Sequence, residues 1–127
     1  MKVEEGLKYS KEHEWIKVTG DEATVGITDF AQHSLGEIVY IELPGAGDAI
    51  KAGDVLSSID SIKAASDVFS PVSGKIVKVN GDLSGTPEKI NSDPYGSWIA
   101  VIKMSDAKEL DAHMDAKQYE EFCGLEE

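Results

Sequence analysis

The sequence predicts a mainly β fold of two similar halves, with short helices and a helical segment at the C-terminus. Short runs rich in Val, Ile, Thr and aromatic residues alternate with Gly- and Pro-containing turns, which is typical of strands. Residues 36–41 (GEIVYI) are echoed by residues 74–79 (GKIVKV) at an offset of 38. Two related halves of this size indicate a small barrel or sandwich with approximate two-fold symmetry.

The first predicted elements are a hairpin and a short helix. Residues 14–18 and 23–27 alternate in the manner of strands, and Gly20 and Asp21 between them predict a tight turn. Asp29 and Gln32 have the spacing of a capping box, so a helix should follow and end at Gly36.

The middle of the chain is strand-rich, and the end is helical. Further strands are predicted over residues 37–43, 55–62, 65–69, 75–79 and 98–103. Thr86 followed by Pro87 predicts one turn of helix. Ser105 should cap a helix that runs to about Met114, and Asp115 with Gln118 should begin another that ends at Gly124.

The composition fits one soluble domain. The chain has 127 residues, 41% of them hydrophobic, so we expect a single domain over residues 1–127, with a core over about 9–104 and a helical addition over 105–124. The longest apolar run, residues 98–102, is too short to span a membrane, and the acidic start does not resemble a signal or transit peptide. One cysteine, Cys123, forms no internal disulfide and is expected to be packing material. These observations favour a cytoplasmic location, or a chain whose targeting segment has already been removed.

The charge is strongly negative and unevenly distributed. The net charge of −12 argues against nucleic acid and anionic membranes as partners. From residue 105 onward the chain holds eight acids and two lysines, and this segment accounts for half of the net negative charge of the chain. Docking to basic partner surfaces and a merely solvated helix face both remain open as explanations.

Catalytic and metal-binding patterns are missing from the sequence. The three histidines, His13, His33 and His113, have no second ligand at helix or turn spacing, so no metal site is predicted. His13 is expected to be exposed beside the first strand, and the other two to be surface or partly packed. No Gly-x-Ser-x-Gly turn and no Walker-type phosphate loop occurs, and no catalytic residue is predicted.

Lys63 is the most informative residue. It lies between two predicted strands, where we expect a hairpin tip, and its neighbours Ser61, Ala64, Ala65 and Ser66 are small. Acids flank the turn, whereas a Schiff-base lysine needs burial or a neighbouring positive charge. An amine displayed in this way suits acylation by another protein, although an isolated surface lysine is usually only solvated.

Residues 61–74 (SIKAASDVFSPVSG) resemble the lipoyl-attachment segment of the glycine cleavage system H proteins. The resemblance extends over nearly the whole chain. It includes Tyr9-x-x-x-His13-Glu14-Trp15, residues 24–28 (TVGIT), Ala31-Gln32-x-x-Leu35-Gly36, Asn91-x-Asp93-Pro94-Tyr95-Gly96 and Tyr119-x-x-Phe122. The chain departs from the family pattern in two places. Asp60-Ser61-Ile62 stands where Glu-Ser-Val is usual, and the segment Gly96-Ser97-Trp98 is shorter.

The resemblance implies a lipoyl-type barrel sandwich in which Lys63 carries lipoic acid in amide linkage. The arm would accept an aminomethyl group from the pyridoxal-phosphate glycine decarboxylase and present it to the tetrahydrofolate-dependent aminomethyltransferase. Dihydrolipoyl dehydrogenase, an FAD enzyme, would reoxidise it. A lipoate-attaching enzyme is a further implied partner. The protein would be a monomeric, non-catalytic carrier, and the loaded arm would fold against a cleft in its own protein.

Four alternative interpretations can be compared with this one, and the residues beside Lys63 disfavour the first two. Biotinyl carriers place methionines beside the lysine, where this chain has Ile62 and Ala64, and lipoyl domains of 2-oxoacid dehydrogenases usually have Asp directly before it. An H-like protein that relays lipoyl groups to other enzymes would use the same lysine. A pure interaction protein would leave Lys63 unmodified.

Overall fold

A computed structural model describes the backbone of residues 2–126 and the side chains as far as Gly124. The elements in chain order are β1 (Lys8–Tyr9), β2 (Glu14–Thr19), β3 (Glu22–Ile27), α1 (Asp29–Leu35), β4 (Ile38–Glu42), β5 (Ala49–Ile50), β6 (Val55–Ser61), β7 (Ala65–Phe69), β8 (Gly74–Val79), α2 (Asp82–Gly85), α3 (Lys89–Ser92), β9 (Ala100–Met104), a 3-10 helix (Ala107–Ala112) and α4 (Ala116–Glu126). The prediction of a mainly β fold with a helical C-terminal segment is confirmed.

The strands form two antiparallel sheets. The larger sheet has the order β1-β2-β3-β9-β8-β5, and the smaller one has the order β4-β6-β7. The two segments of the internal repeat, β4 and β8, are both strands and lie one in each sheet. Both sheets contribute side chains to one apolar core, for example Ile16 and Ile102 from the larger and Ile41 and Ile59 from the smaller.

The predicted hairpin is present as β2 and β3, paired in register from Glu14–Ile27 to Thr19–Glu22. Gly26 in β3 lies directly opposite Trp15, whose indole Nε1 donates to the carbonyl oxygen of Pro94 at 3.1 Å. A Cβ on Gly26 would lie 2.6 Å from ring atoms of the buried Trp15, so only glycine fits here.

Gly26→Ala should therefore destabilise the fold, because the indole must shift and its hydrogen bond must lengthen. Overpacking of this kind costs about 1–3 kcal/mol of unfolding free energy. Urea unfolding followed by Trp fluorescence measures the change. Gly81→Ala is the matched control, since nothing lies within 4 Å of a Cβ there and its φ is −62°. Equal stability of the two variants would contradict the packing argument.

Helix α1 has a different cap from the one that the sequence predicts. Thr28, not Asp29, is the N-cap, and its hydroxyl accepts from the backbone N–H of Ala31 at 3.2 Å. Asp29 is the first helical residue, where its carboxylate accepts from the side chain of Gln32 at 2.7 Å. The predicted end at Gly36 is confirmed, with φ at +77°.

Three other helix predictions are corrected. The turn of helix predicted from Thr86 and Pro87 begins later, because residues 87–88 form a turn and α3 starts at Lys89 with Glu88 as its N-cap. Asp106 rather than Ser105 caps the segment after β9, which is a 3-10 helix that ends at Ala112. Asp115 and Gln118 do exchange backbone-to-side-chain hydrogen bonds at the start of α4, but this helix continues through Gly124 to Glu126.

Helix α4 packs on the larger sheet through a second apolar cluster. Tyr119 stacks on Tyr9 of β1 with ring centroids 4.5 Å apart, and Cys123 is fully buried beside them, as expected of packing material. The charged residues of α4 before Gly124 are exposed. Within residues 2–126, none of the helices combines the length and the apolar character needed to cross a lipid bilayer.

Candidate functional site

Lys63 lies exposed at the tip of the hairpin that joins β6 and β7, as the sequence predicts. Ser61 organises this turn. Its backbone N–H donates to the carbonyl oxygen of Ala64 at 2.8 Å, and its hydroxyl accepts from the N–H of Ala64 at 3.1 Å. The tip is therefore a fixed turn that presents one exposed lysine, and no ion pair within the described part of the chain engages Lys63.

The stem of Lys63 lies against Gly36. A Cβ on Gly36 would come within 3.3 Å of Lys63 Cε and 3.9 Å of its Nζ. With φ +77° and ψ −156°, Gly36 also occupies a backbone region that is essentially restricted to glycine. The absent side chain thus leaves a shallow backbone surface along which the lysine stem can lie.

Asn91 fixes the backbone under that stem. Its Nδ2 donates to the carbonyl oxygen of Gly36 at 2.8 Å and to Oε1 of Gln32 at 2.9 Å, while its Oδ1 accepts from the N–H of Ile38 at 2.9 Å. All the hydrogen-bonding groups of this amide are used to join the end of α1 to the start of β4. Asn91 appears in the sequence only as part of a longer motif, and the structure gives it a positioning role.

A cleft of about 480 Å³ begins beside the tip. One wall is β7 from Ala65 to Phe69, and the opposite wall is α1, including Ser34 and Leu35. Both walls start next to Lys63, since Ala65 lies two residues after it and Leu35 directly precedes Gly36. Along β7 the cleft extends over five residues, from Ala65 to Phe69, and the four steps between them span about 13 Å at a strand rise of about 3.3 Å.

Glu14 lies at the far end of the cleft and is only 2% exposed. Its carboxylate accepts from the hydroxyl of Ser10 at 2.5 Å and from the backbone N–H of Phe69 at 3.1 Å. Burial raises the pKa of Glu14 from 4.5 to about 7, although these two hydrogen bonds oppose the shift. No cation is paired with Glu14 among the described residues, so the far end of the cleft holds a buried acid whose two oxygens accept from Ser10 and Phe69.

His13 forms part of the same cleft, and the prediction that it is an exposed residue is wrong. It is half-buried, stacks on Phe30 with centroids 4.4 Å apart, and its Nδ1 lies 2.7 Å from the hydroxyl of Tyr119. Its φ of +67° is the only positive value at a non-glycine residue in the described chain. The hydroxyl of Tyr119 also meets Thr28 Oγ1 at 2.7 Å, and burial raises the pKa of Tyr119.

The other residues singled out in the sequence lie apart from the cleft or at its edge. His33 is exposed on α1, and Nε2 of the half-buried His113 lies 2.7 Å from the carbonyl oxygen of Pro71. Asp67 lines the cleft and accepts from the hydroxyl of Ser58 at 3.1 Å, whereas Asp60 pairs with Ala65 across the hairpin.

Two residues of the candidate site, Glu14 and Ser10, are not predicted from the sequence. In the sequence Glu14 is one of several acids near the first strand. Its burial results from the tertiary fold and is therefore not visible in the local sequence. The only sequence feature that could have indicated this site is a serine four residues before a glutamate at the start of a strand whose next residues are buried. This spacing is too common to identify a site.

The Gly36 contact leads to a prediction about the tip. Gly36→Ala should cost about 1–3 kcal/mol of stability through backbone strain, and it should also displace the Lys63 stem and slow the acylation that the sequence predicts for its amine. Gly47→Ala is the matched control, because φ there is +97° and nothing lies within 4 Å of a Cβ. Intact-mass time courses of acylation and urea unfolding separate the two effects. Equal acylation rates for both variants would show that the Gly36 contact does not guide the lysine.

The fold and the candidate site together are those of a small module in which two sheets support one exposed lysine on a hairpin tip beside a cleft. The sequence profile of the glycine cleavage H-protein family matches residues 7–126. The chain therefore belongs to this family of lipoyl carriers, and the resemblance noted in the sequence is confirmed.

Individual relatives agree with this assignment. The chain is 60% identical over 126 residues to a glycine cleavage system H protein of Coprothermobacter proteolyticus, covering 98% of this chain and 99% of that one. It is 56% identical to one from Thermoanaerobacter sp. (strain X514), covering 99% and 100%. A crystal structure of a glycine cleavage system H protein from Mycobacterium marinum superposes with a TM-score of 0.88 at 33% identity, covering 97% and 100%. The likeness confirms the predicted fold class.

Proposed function

We propose that this chain is the lipoylated carrier of the glycine cleavage system, with Lys63 as the attachment residue and no catalytic group of its own. The observation that carries the proposal is the fixed turn at residues 61–64, which projects the Lys63 amine past Gly36 at the mouth of the cleft. A lipoyl group in amide linkage fits there, because the tip is exposed and the backbone at Gly36 leaves room for the stem. When bound, the group supplies two sulfur atoms that take up and release the aminomethyl cargo.

The partners follow from the family. The carrier would serve glycine decarboxylase, the tetrahydrofolate-dependent aminomethyltransferase and dihydrolipoyl dehydrogenase in turn, after a lipoate-attaching enzyme has acylated it. The chain acts as one carrier unit, in which residues 105–124 are a helical addition to the two sheets.

The cleft would shelter the loaded arm. It opens at Ala65, beside the attachment point, and ends at Glu14 on the side of Phe69. An amine at the end of the arm would be protonated, and the Glu14 carboxylate would attract it. The walls formed by Leu35, Phe30 and Val68 would exclude water from the carbon that links sulfur and nitrogen.

Mass spectrometry tests the attachment. Protein isolated from its native host under lipoate-replete growth should carry one lipoyl group, and peptide mapping should place it on Lys63 and on none of the other eleven lysines. An unmodified chain from such cells, or a lipoyl group on another lysine, would refute the proposal.

A further inference from the structure

Three large apolar side chains are exposed beside Lys63, and we call them the tip patch. Ile62 is 69% exposed, Tyr40 54% and Val39 51%. They lie together, because Ile62 directly follows Ser61, which pairs with Ile38, and because the N–H of Ile62 donates to the carbonyl oxygen of Glu37 at 3.0 Å. Exposed apolar groups gathered at one place indicate an interaction surface.

A β-bulge produces this exposure. Ile38 pairs with Ser61 and Tyr40 pairs with Asp60, so Val39 is an extra residue in β4. In a regular strand consecutive side chains point to opposite faces, and either Val39 or Tyr40 would turn inward. Here both are exposed, while Ile38 and Ile41 on either side are buried. The bulge thus turns an additional apolar side chain toward solvent beside the tip, as bulges near functional sites often do.

The surroundings of the tip patch are acidic. Asp60 is the cross-strand neighbour of Tyr40, and Glu42 and Asp67 both pair with Ser58, which places these acids on the same outer face of the smaller sheet. The three strands of that sheet and the tip turn contain one basic residue, Lys63 itself. A complementary surface would therefore combine an apolar pocket with Lys and Arg side chains at its rim.

We propose that the tip patch is the docking surface for the enzyme that acylates Lys63. This inference rests on the proposed function. Acylation joins Nζ to the carbonyl carbon of an activated lipoyl carboxylate, as the activating group departs with its electron pair and the ammonium nitrogen loses two protons. The donor must come within bonding distance of Nζ. Because only a lysine side chain separates Nζ from the backbone, the enzyme must cover the tip.

The later partners of the carrier have a weaker need for this surface. Once the arm is attached, its reactive end extends well beyond the tip, and an enzyme can reach it without covering the tip itself. The tip patch therefore has its main role before the arm is present, when the amine itself is the substrate. Val39, Tyr40 and Ile62 act as positioning residues for that encounter.

Serine substitutions test the proposal in the full-length apo protein. Tyr40→Ser and the double change Val39→Ser with Ile62→Ser should each lower kcat/KM for lipoate incorporation at least about tenfold, as is typical of apolar anchors in an interface. Incorporation is followed by intact mass with the purified lipoate-attaching enzyme of the same organism, and the Kd of the apo protein for that enzyme is measured by calorimetry. Val55→Ser is the control, since Val55 is 52% exposed but lies at the opposite end of β6.

The expected pattern is a weaker Kd and slower incorporation in the patch variants, with the Val55→Ser variant within about twofold of wild type. Raised ionic strength should also slow incorporation into the wild type, because the acidic rim attracts a basic surface. Wild-type rates of lipoate incorporation in both patch variants would overturn the proposal. A loss of exchange with glycine decarboxylase in the same variants would not rescue it, because that enzyme acts after the arm is attached. If the wild-type chain itself accepts no lipoate, the proposed function is overturned as well, so the two failures are distinguishable.

Discussion

Lys63→Arg is expected to abolish glycine–bicarbonate exchange with glycine decarboxylase while leaving the fold intact. Arginine keeps the positive charge and a long side chain, but a guanidinium remains protonated and is not acylated, so no lipoyl arm can form. Lys63 is exposed and forms no ion pair within the described residues, so the unfolding free energy should stay within about 0.5 kcal/mol of wild type. The exchange assay, with intact mass in parallel, measures both consequences.

Lys51→Arg provides the control for this experiment, because Lys51 is also exposed but precedes β6 and lies away from the tip. That variant should be lipoylated and should support exchange at the wild-type rate. If exchange survives in Lys63→Arg, another lysine carries the arm and the assignment of Lys63 fails.

Glu14→Gln is expected to change how stability depends on pH. The pKa of Glu14 is raised from 4.5 to about 7 by burial, so between these values the folded state binds more protons than the unfolded state. The free energy of unfolding therefore falls as the pH rises from 4.5 through 7. Below pH 4.5 Glu14 is protonated in both states, so burial of its charge no longer lowers stability. The ionised carboxylate lowers the unfolding free energy by about 3 kcal/mol at most once pH is well above 7. Urea unfolding between pH 4 and 9 measures the slope.

Glutamine preserves the shape of the site and removes the titration. Its amide oxygen can accept from the N–H of Phe69, and its amide nitrogen can donate to the hydroxyl of Ser10. The variant should lose most of the decline in stability above pH 5 and should be more stable than wild type at pH 8. Glu120→Gln on the exposed face of α4 is the control. Identical pH profiles for wild type and Glu14→Gln would mean that Glu14 is not the group responsible.

The same variant tests the shelter proposed for the loaded arm. If the Glu14 carboxylate holds a protonated amine at the end of the cleft, Glu14→Gln should hasten spontaneous loss of the cargo from the loaded carrier. Lipoylation of Lys63 should proceed at the wild-type rate, because Glu14 lies at the opposite end of the cleft. Equal cargo lifetimes in both proteins would count against the cleft as a shelter.

Local signals in the sequence were enough to predict the hairpin and the tip. Gly20 and Asp21 separate two alternating runs, and small residues around Lys63 separate two more, so turn chemistry and strand pattern agree at both places. The cap at Asp115 was predicted for the same reason, because both partners lie within one helical turn.

The errors arise where distant parts of the chain decide the outcome. Gly124 fails to end α4 because burial of Tyr119 and Cys123 against β1 and β2 outweighs the low helix propensity of glycine. Glu14 is buried by parts of the chain that are distant in sequence, and the N–H of Phe69, 55 residues away, donates to its carboxylate there. His13 is held in the cleft by Tyr119, 106 residues away. No local pattern encodes such contacts.

The hydroxyl of Tyr119 connects the C-terminal helix α4 to two parts of the cleft. That single oxygen atom meets Thr28, which caps the helix on one side of the cleft, and His13, which lies in the cleft itself. The exposed acidic residues on the outer face of α4 take no part in this contact, so substitutions there should leave the cleft unchanged. The inner face differs, because removal of the Tyr119 hydroxyl would take a hydrogen bond from both Thr28 and His13.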